Sequence, residues 1–422
     1  MEFNALSRQK NIYTDGFSGN TPTLPVDFPK LESAAESKLL PQAFAYIAGG
    51  AGLESTQAVN RSVWDKYPII PRMLNDVSQR QLAANFLGST YPLPLFLSPI
   101  GVLELAHPNG DLAVATACKS LGIPMMVSNQ ASHSMEDISK VLNGSPWFFQ
   151  LYVSKSDELV LSFIHRAEQA GARGIVVTLD TTMLGWRPRD LNLGSLPFLQ
   201  GRGIAQYTSD PVFKRLMIKP ATEQGKKKIN VQSITNLFQL ANRLPGAFFK
   251  NLSGQALDAV RLFTQIYSRP DLNWETIAWI KSSTKLPVIL KGIQHPLDAQ
   301  KAIDLGIDAI YVSNHGGRQV DGAQSSLDAL IRIKEVVKHQ IPILFDSGIR
   351  CGADITKALA VGAQMTGIGR PYAYALTLDG ARGVESLVHN LAAELELTMA
   401  LAGKKNILDL EGILQTQGPT GK

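Results

Sequence analysis

KAIDLGIDAIYVSNHGGR, residues 301–318, carries the pattern that decides the fold. Leu305-Gly306-Ile307 is an apolar–Gly–apolar triplet that closes a helix, because glycine suits the left-handed position just past a helix end. Asp308–Ser313 follows as a short, nearly continuous apolar run, which is how a parallel strand buried on both faces reads. The run then gives way to Asn314-His315-Gly316-Gly317-Arg318. Helix, buried strand and polar loop make one βα unit with its chemistry at the strand's C-terminal end.

The same triplet recurs at Gly122, Gly171 and Gly362. The intervals Gly122–Gly171 and Gly306–Gly362 each fit two βα units. The interval Gly171–Gly306 is longer than two units by about 80 residues, so an insertion follows the fourth strand. Strand-like runs lie at Pro94–Ser98, Pro124–Ser128, Trp147–Val153, Gly174–Thr178, Pro287–Leu290, Asp308–Ser313, Ile341–Phe345 and Gln364–Ile368. Between the third and fourth, Ser154 with Asp157 reads as a capping box. Leu159, Phe163, Ala167 and Ala170 then share one helix face. Eight strands alternating with helices predict an α/β fold, a (β/α)8 TIM barrel. A doubly wound open sheet is the alternative, but no GxGxxG follows the first strand.

The expected partition has one domain over 1–422: an N-terminal helical segment (1–90), the barrel (91–390), the insertion after strand four (186–272), and a C-terminal helix and tail (391–422). In the first part, Leu31–Leu40 and Ser55–Trp64 read as helices separated by Pro41 and the Gly49–Gly52 run.

Composition limits the classes. Of 422 residues 45% are hydrophobic and 18% charged, enough to bury a large core and too apolar for disorder. Two cysteines, Cys118 and Cys351, exclude a disulfide scaffold and fit a reducing, cytoplasmic setting. The N-terminus lacks a signal-like apolar core, and Leu93–Ala106 is too short and interrupted to span a membrane. The net charge of +5 is unevenly spread. Phe213–Pro270 holds ten Lys/Arg (214, 215, 219, 226, 227, 228, 243, 250, 261 and 269) against Glu223 and Asp258. Leu237, Phe238, Leu240, Leu244, Phe248 and Phe249 accompany them, a mixture that suits either an anionic surface or a subunit-packing excursion. No nucleic-acid motif surrounds Lys226-Lys227-Lys228, so no nucleic-acid partner is expected. No metal is expected either.

The strand ends supply the candidate residues. Gln150 and Tyr152 share one face by strand alternation, and Thr178 and Asp180 do likewise. Lys291 follows Pro287–Leu290 directly, so its ammonium is expected in the barrel mouth. His315 and Arg318 end strand six. After strands seven and eight, Ser347-Gly348 and Gly367/Gly369 open the backbone while Arg350 and Arg370 supply charge. That combination predicts a bound phosphate, with FMN favoured over a phosphorylated substrate.

SNHGGRQVDG (313–322), FFQLYV (148–153), VTLDTTMLGWRPRDL (177–191), LKGI (290–293) and DSGIRCGADITKALAVG (346–362) together resemble the FMN-dependent α-hydroxy-acid oxidases and dehydrogenases. The resemblance covers about Ala43 to Leu408. Within it GWRPRDL, LPFLQGRGIAQYTSDPVF and SNQAS look most like the lactate 2-monooxygenase branch and its bacterial relatives. It implies that His315 is the base that takes the substrate hydroxyl proton as hydride leaves Cα, and that Asp180 orients the imidazole. It implies that Arg318 and Arg187 grip the substrate carboxylate, with Tyr46 donating to the same group and Tyr152 bonding near the hydroxyl. Lys291 matches the lysine beside the flavin atoms where negative charge develops. Pro99, Ile100 and Gly101 match the segment along the flavin ring. Ser128, Gln150, Thr178 and Ser313 match its polar partners, Asp346 the residue at the ribityl hydroxyls, and Gly348, Arg350, Gly369 and Arg370 the phosphate cradle.

The sequence departs from plant-type glycolate oxidase at Gln130 and Ile47, where that enzyme has a tryptophan and a second tyrosine; both changes alter the pocket wall, so the resemblance does not carry glycolate over as the substrate. Gly101 leaves room beside the flavin, which bears on how long a keto product stays. The expected activity is oxidation of a small L-2-hydroxy acid, L-lactate first, with O2, and decarboxylation to acetate, CO2 and water. The alternatives are an oxidase releasing pyruvate and H2O2, and a membrane-associated dehydrogenase passing electrons to quinone or cytochrome. A homotetramer or larger assembly is implied.

Overall fold

The eight apolar runs form one closed parallel barrel in the computed structural model, which describes residues 3–217, 237–238, 240–243, 246 and 248–415. Its strands are β1 (Leu95–Leu97), β2 (Met125–Ser128), β3 (Trp147–Leu151), β4 (Ile175–Thr178), β5 (Val288–Ile293), β6 (Ala309–Val312), β7 (Ile343–Phe345) and β8 (Met365–Ile368). Each pairs with its sequence neighbour, and Thr366, Gly367 and Ile368 of β8 register with Leu95, Phe96 and Leu97 of β1 to close the ring. Almost every strand residue is buried, since helices cover the outside and side chains fill the inside. Gly122, Gly171, Gly306 and Gly362, the triplet glycines, all take positive φ.

Several local expectations shift. Strand five runs past Lys291 to Ile293. The cap before helix Asp157–Gln169 is Ser156, whose side chain accepts from Leu159 N. Ser154 instead donates to the carbonyl of Ile266, tying the end of the insertion to the loop after β3. Between the two expected N-terminal helices, observed at Phe28–Lys38 and Ser55–Ser62, stands a third, Pro41–Ala48. Pro41 opens that helix rather than separating its neighbours, because proline is preorganised for the first helical position. Helix Arg370–Leu401 follows β8 and is interrupted at Asp379 and Gly380. Residue 390, the expected barrel boundary, falls inside it. The stretch before the barrel meets the stretch after the last helix through bridges pairing Ile69 with Leu414 and Gln81 with Asn406.

The stretch between β4 and β5 is held by aromatic packing. Tyr207 lies 5.0 Å from Phe163 and 4.8 Å from Phe263 in edge contacts, and Phe263 stacks on Tyr267 at 4.9 Å between ring centroids. Of its basic residues, Arg215, Arg243, Arg261 and Arg269 pair with Glu158, Glu104, Asp258 and Asp157. Their charge is therefore neutralised on the protein's own surface. Lys219, Lys226, Lys227, Lys228 and Leu244 lie outside the described residues, as does Glu223. Among the described residues no helix is long and apolar enough to cross a membrane.

Candidate active site

The loops at the C-terminal ends of the strands enclose a cavity of about 1000 Å³, counted to its open mouth. Tyr46, Pro99, Ile100, Gly101, Tyr152, Arg187, Lys291, His315, Arg318, Asp346, Gly348, Arg350, Gly369 and Arg370 all line it. These residues come from the N-terminal helix, six of the strand ends and the insertion. Ser128, Gln150, Thr178, Asp180 and Ser313 do not line it. They form the layer of polar side chains beneath and beside it.

That layer is bonded within itself, Asp180 Oδ2 excepted. Gln150 accepts from Ser128 Oγ at 3.2 Å and donates to Thr178 Oγ1 at 3.0 Å, so three strands share one polar rung. Ser313 Oγ accepts from Lys291 Nζ at 2.9 Å and from the His315 amide at 3.1 Å. Lys291, only 3% exposed, also sits 5.0 Å from the centre of the Tyr311 ring.

His315 takes a left-handed backbone, φ 57°, a conformation that histidine adopts more often than most residues with a side chain. Its Nδ1 lies 2.8 Å from Asp180 Oδ1, and Thr181 Oγ1 donates to the same oxygen at 2.9 Å. Burial pushes the imidazole below the ordinary histidine range, and Asp180 only partly opposes this. Burial works against the Asp180 charge, but His315 and Lys291 outweigh it and hold the carboxyl at about 2. A neutral imidazole beside a fixed carboxylate is a base ready to accept a proton at Nε2.

Across the cavity stand two guanidiniums. Arg318 Nη1 donates to the carbonyls of Tyr46 (2.6 Å) and Gly49 (2.8 Å), with its guanidinium 5.2 Å from the Tyr46 ring centre. Arg187 donates to Gln319 Oε1 at 3.1 Å and to the Arg318 carbonyl at 3.3 Å. Arg370 reaches the same N-terminal segment through the carbonyls of Ile47 and Gly49, and Gly316 through its other nitrogen. These contacts are what bring Tyr46, remote in sequence, into the site.

Arg187, Arg318, Arg350 and Arg370 have no carboxylate within 4 Å among the described residues. Burial and the neighbouring Arg187 and Arg370 push Arg318 down to about 9. Burial and Arg370 push Arg350 down to about 10. Crowded cations without counter-ions mark where anions bind. Two glycines also stand near Arg350. Gly348 has φ 109°, and a Cβ there would stand 2.4 Å from the Asn60 carbonyl. A Cβ on Gly369 would meet nothing within 4 Å, which leaves room for a group against the start of helix Arg370–Leu401. Arg350 Nε is buried without a partner. A phosphate-bearing cofactor fits these residues.

Some members of the site went unread in the sequence. Tyr311 donates to Asp346 Oδ2 at 2.5 Å and lies 3.0 Å from Ser98 Oγ, which also bonds Asp346. The strand alternation that groups Gln150 with Tyr152 also places Tyr311 beside Ser313, so a signal existed. Phe198 and Tyr267, cavity-lining rings from the insertion, are brought there by tertiary packing alone.

A parallel barrel whose last two strand ends gather arginines fit for a phosphate, and whose fourth and sixth strand ends bring together a His–Asp pair facing two arginines, has the layout of a flavin-dependent hydroxy-acid site. Residues 35–416 match the family model for FMN-dependent dehydrogenases, and the chain belongs to that family. It uses FMN and oxidises an α-hydroxy acid. It is 40% identical to an L-lactate oxidase of Lysinibacillus sphaericus (strain C3-41), over 92% of each chain. It is 36% identical to an FMN-dependent alpha-hydroxy acid dehydrogenase of Penicillium citrinum, over 96% of this chain and 94% of that one. Among solved structures, mandelate oxidase with (S)-4-hydroxymandelic acid matches with a TM-score of 0.77 and 32% identity, covering 93% and 98% of the two chains.

Proposed function

We propose that the protein oxidises a small L-2-hydroxy acid, L-lactate first, with O2 as electron acceptor, and that it retains the keto acid long enough to decarboxylate it. The supporting observation is the His315–Asp180 pair, facing across one cavity Arg187 and Arg318, two cations with no carboxylate within 4 Å among the described residues. Bound FMN supplies a two-electron acceptor that O2 reoxidises.

Each residue then has a physical task. Arg187 and Arg318 hold the substrate carboxylate through planar, two-pronged donors, and Tyr46 adds a hydroxyl donor. Tyr152 lies where the substrate hydroxyl is expected. His315 Nε2 takes the hydroxyl proton, while Asp180 fixes Nδ1–H as a donor and stabilises the imidazolium. Lys291 opposes the negative charge that builds on the cofactor. Gly348, Arg350, Gly369 and Arg370 hold its phosphate, and Asp346 faces its polyol chain. Ile47, Gln130, Leu184, Phe198 and Tyr267 crowd the remaining wall, which favours a short side chain. The protein works as a water-soluble homo-oligomer in the cytoplasm, with no membrane or nucleic-acid partner.

The balanced reaction is lactate plus O2 giving acetate, CO2 and water. Turnover with L-lactate in air, followed by product analysis, tests it. Acetate with little free peroxide is expected. Stoichiometric pyruvate and peroxide would make the protein a simple oxidase. An anaerobic flavin-bleaching screen over L-lactate, glycolate, mandelate and longer 2-hydroxy acids tests the substrate, with L-lactate expected to bleach fastest.

A further inference from the structure

Asp190 lies three residues after Arg187, in the short helix Pro188–Asn192 packed on the helix that carries Tyr46. It is 8% exposed, and its Oδ1 is buried without a hydrogen-bond partner. No cationic group lies within 4 Å of it among the described residues. A carboxylate buried this way is costly unless a positive field compensates. The charges that act on it are Arg318 and Arg187, and it acts in turn on Arg318 and Tyr46. An acid in a helix's first turn can simply favour that helix. Here the helix has only five residues, and the Asp190 carboxylate bonds none of its N–H groups.

We propose that Asp190 is a positioning residue that sets the hold of Arg187 and Arg318 on carboxylates, weakening it so that product leaves. The inference rests on the reading of these arginines as the carboxylate clamp. Two guanidiniums and Asp190 sum to one positive charge, which a bound carboxylate neutralises. With Asp190 neutralised, a positive charge remains after binding, and substrate and keto acid are both held more tightly. Such uniform tightening lowers KM and slows product release without touching the proton transfer.

The test uses the FMN-loaded enzyme and pyruvate as probe, its Kd read from the flavin absorbance change at pH 8. Asp190→Asn and Asp190→Ser are each expected to lower the Kd about tenfold, while Asp190→Glu keeps the wild-type value. A change below threefold in both neutral variants overturns the proposal, and a merely helix-stabilising Asp190 would move the melting temperature alone. A second readout keeps the natural Asp190. In a His315→Gln background the charged groups facing Asp190 are Arg187 and Arg318, with Tyr46 beside them, and burial raises the Asp190 carboxyl above its ordinary value. Pyruvate binding should there tighten as pH falls through the Asp190 titration, and a flat profile overturns the proposal even if the neutral variants lose FMN. Arg187→Gln separates the two readings. If it leaves pyruvate binding unchanged, the clamp itself is wrong. If it weakens binding while Asp190 variants do nothing, only the role of Asp190 falls.

Discussion

Asp180 turns one carboxylate oxygen to His315 Nδ1 at 2.8 Å and leaves the other 4.0 Å from Lys291 Nζ. One buried anion therefore faces both His315 and Lys291. Its second oxygen has no hydrogen-bond partner, so the coupling to Lys291 is electrostatic.

His315→Gln is expected to slow anaerobic flavin reduction by 10²–10⁴-fold, the usual contribution of a positioned base. The protein should remain yellow, because His315 touches none of the phosphate-side residues. Because burial lowers the imidazole from 6.5, the acid limb of kcat/KM in the wild type should lie below pH 6.5. Activity is present above that limb and is lost as pH falls and the imidazole protonates. Rapid bleaching of the Gln variant in a stopped-flow trace would remove His315 from the mechanism.

Asp180→Asn separates orientation from basicity. The Asp180 charge raises the His315 pKa, so its loss should move the acid limb to still lower pH while reducing the plateau rate. The same carboxyl contributes to stability. Its folded value of about 2, against 3.8, gives about 2 kcal/mol. This is fully present above pH 3.8 and lost as pH falls toward 2. Acid unfolding of the wild type and the Asn variant should converge in that window.

How much of this was legible in the sequence follows from what kind of contact made each piece. β1 to β8 were readable because a strand buried on both faces is apolar along most of its length, and because glycine marks the helix end before four of them. Asp180, Lys291 and His315 were readable because they sit directly at strand ends, where geometry is local. Tyr46 needed the family resemblance, since only the Arg318 and Arg370 contacts to carbonyls 46–49 carry it into the site. Phe198 and Tyr267 were invisible because the aromatic cluster that places them joins the insertion to helix Asp157–Gln169, a tertiary fact. Ser156 displaced Ser154 as the cap because Ser154 had a stronger claim elsewhere, the Ile266 carbonyl.

The phosphate cradle makes a separable prediction. Arg370→Gln removes a buried cation and also three contacts that hold residues 47–49 and 57. FMN affinity should fall by at least tenfold, and KM for the hydroxy acid should rise because Tyr46 is loosened. Arg350→Gln lacks that second connection, since its side chain bonds only the Ile349 carbonyl and stacks on Phe28 at 4.4 Å. It should weaken FMN binding with KM unchanged once the enzyme is reloaded. Equilibrium dialysis of FMN beside steady-state kinetics distinguishes the two.

Lys291→Met should lower the flavin reduction potential and slow reduction, because a buried cation that favours the charged product state is gone. It should also remove one of the two donors to Ser313 Oγ, adding about 1 kcal/mol of destabilisation, while the His315 amide still donates to that oxygen. An unchanged potential in a xanthine-oxidase-type dye equilibration would remove Lys291 from the cofactor's electrostatics.

Gly101 bears on the fate of the product. A Cβ at this position would stand 3.0 Å from Gln130 Cβ and 3.2 Å from the Gln130 carbonyl oxygen. That carbonyl is itself fixed, accepting from Val102 N at 2.8 Å. Gly101→Ala therefore forces Gln130 outward or the methyl into the cavity, and either change reduces the space in which a keto acid rests beside the cofactor. Substrate binding needs the arginine clamp more than this wall, so reduction by L-lactate should change by less than tenfold. Product retention is the step that depends on the lost space, and release should become faster. The fraction of turnover appearing as free pyruvate and peroxide should rise severalfold at the expense of acetate. Measured side by side in air-saturated buffer, equal product ratios for the wild type and the Ala variant would show that the room left by Gly101 plays no part in retention.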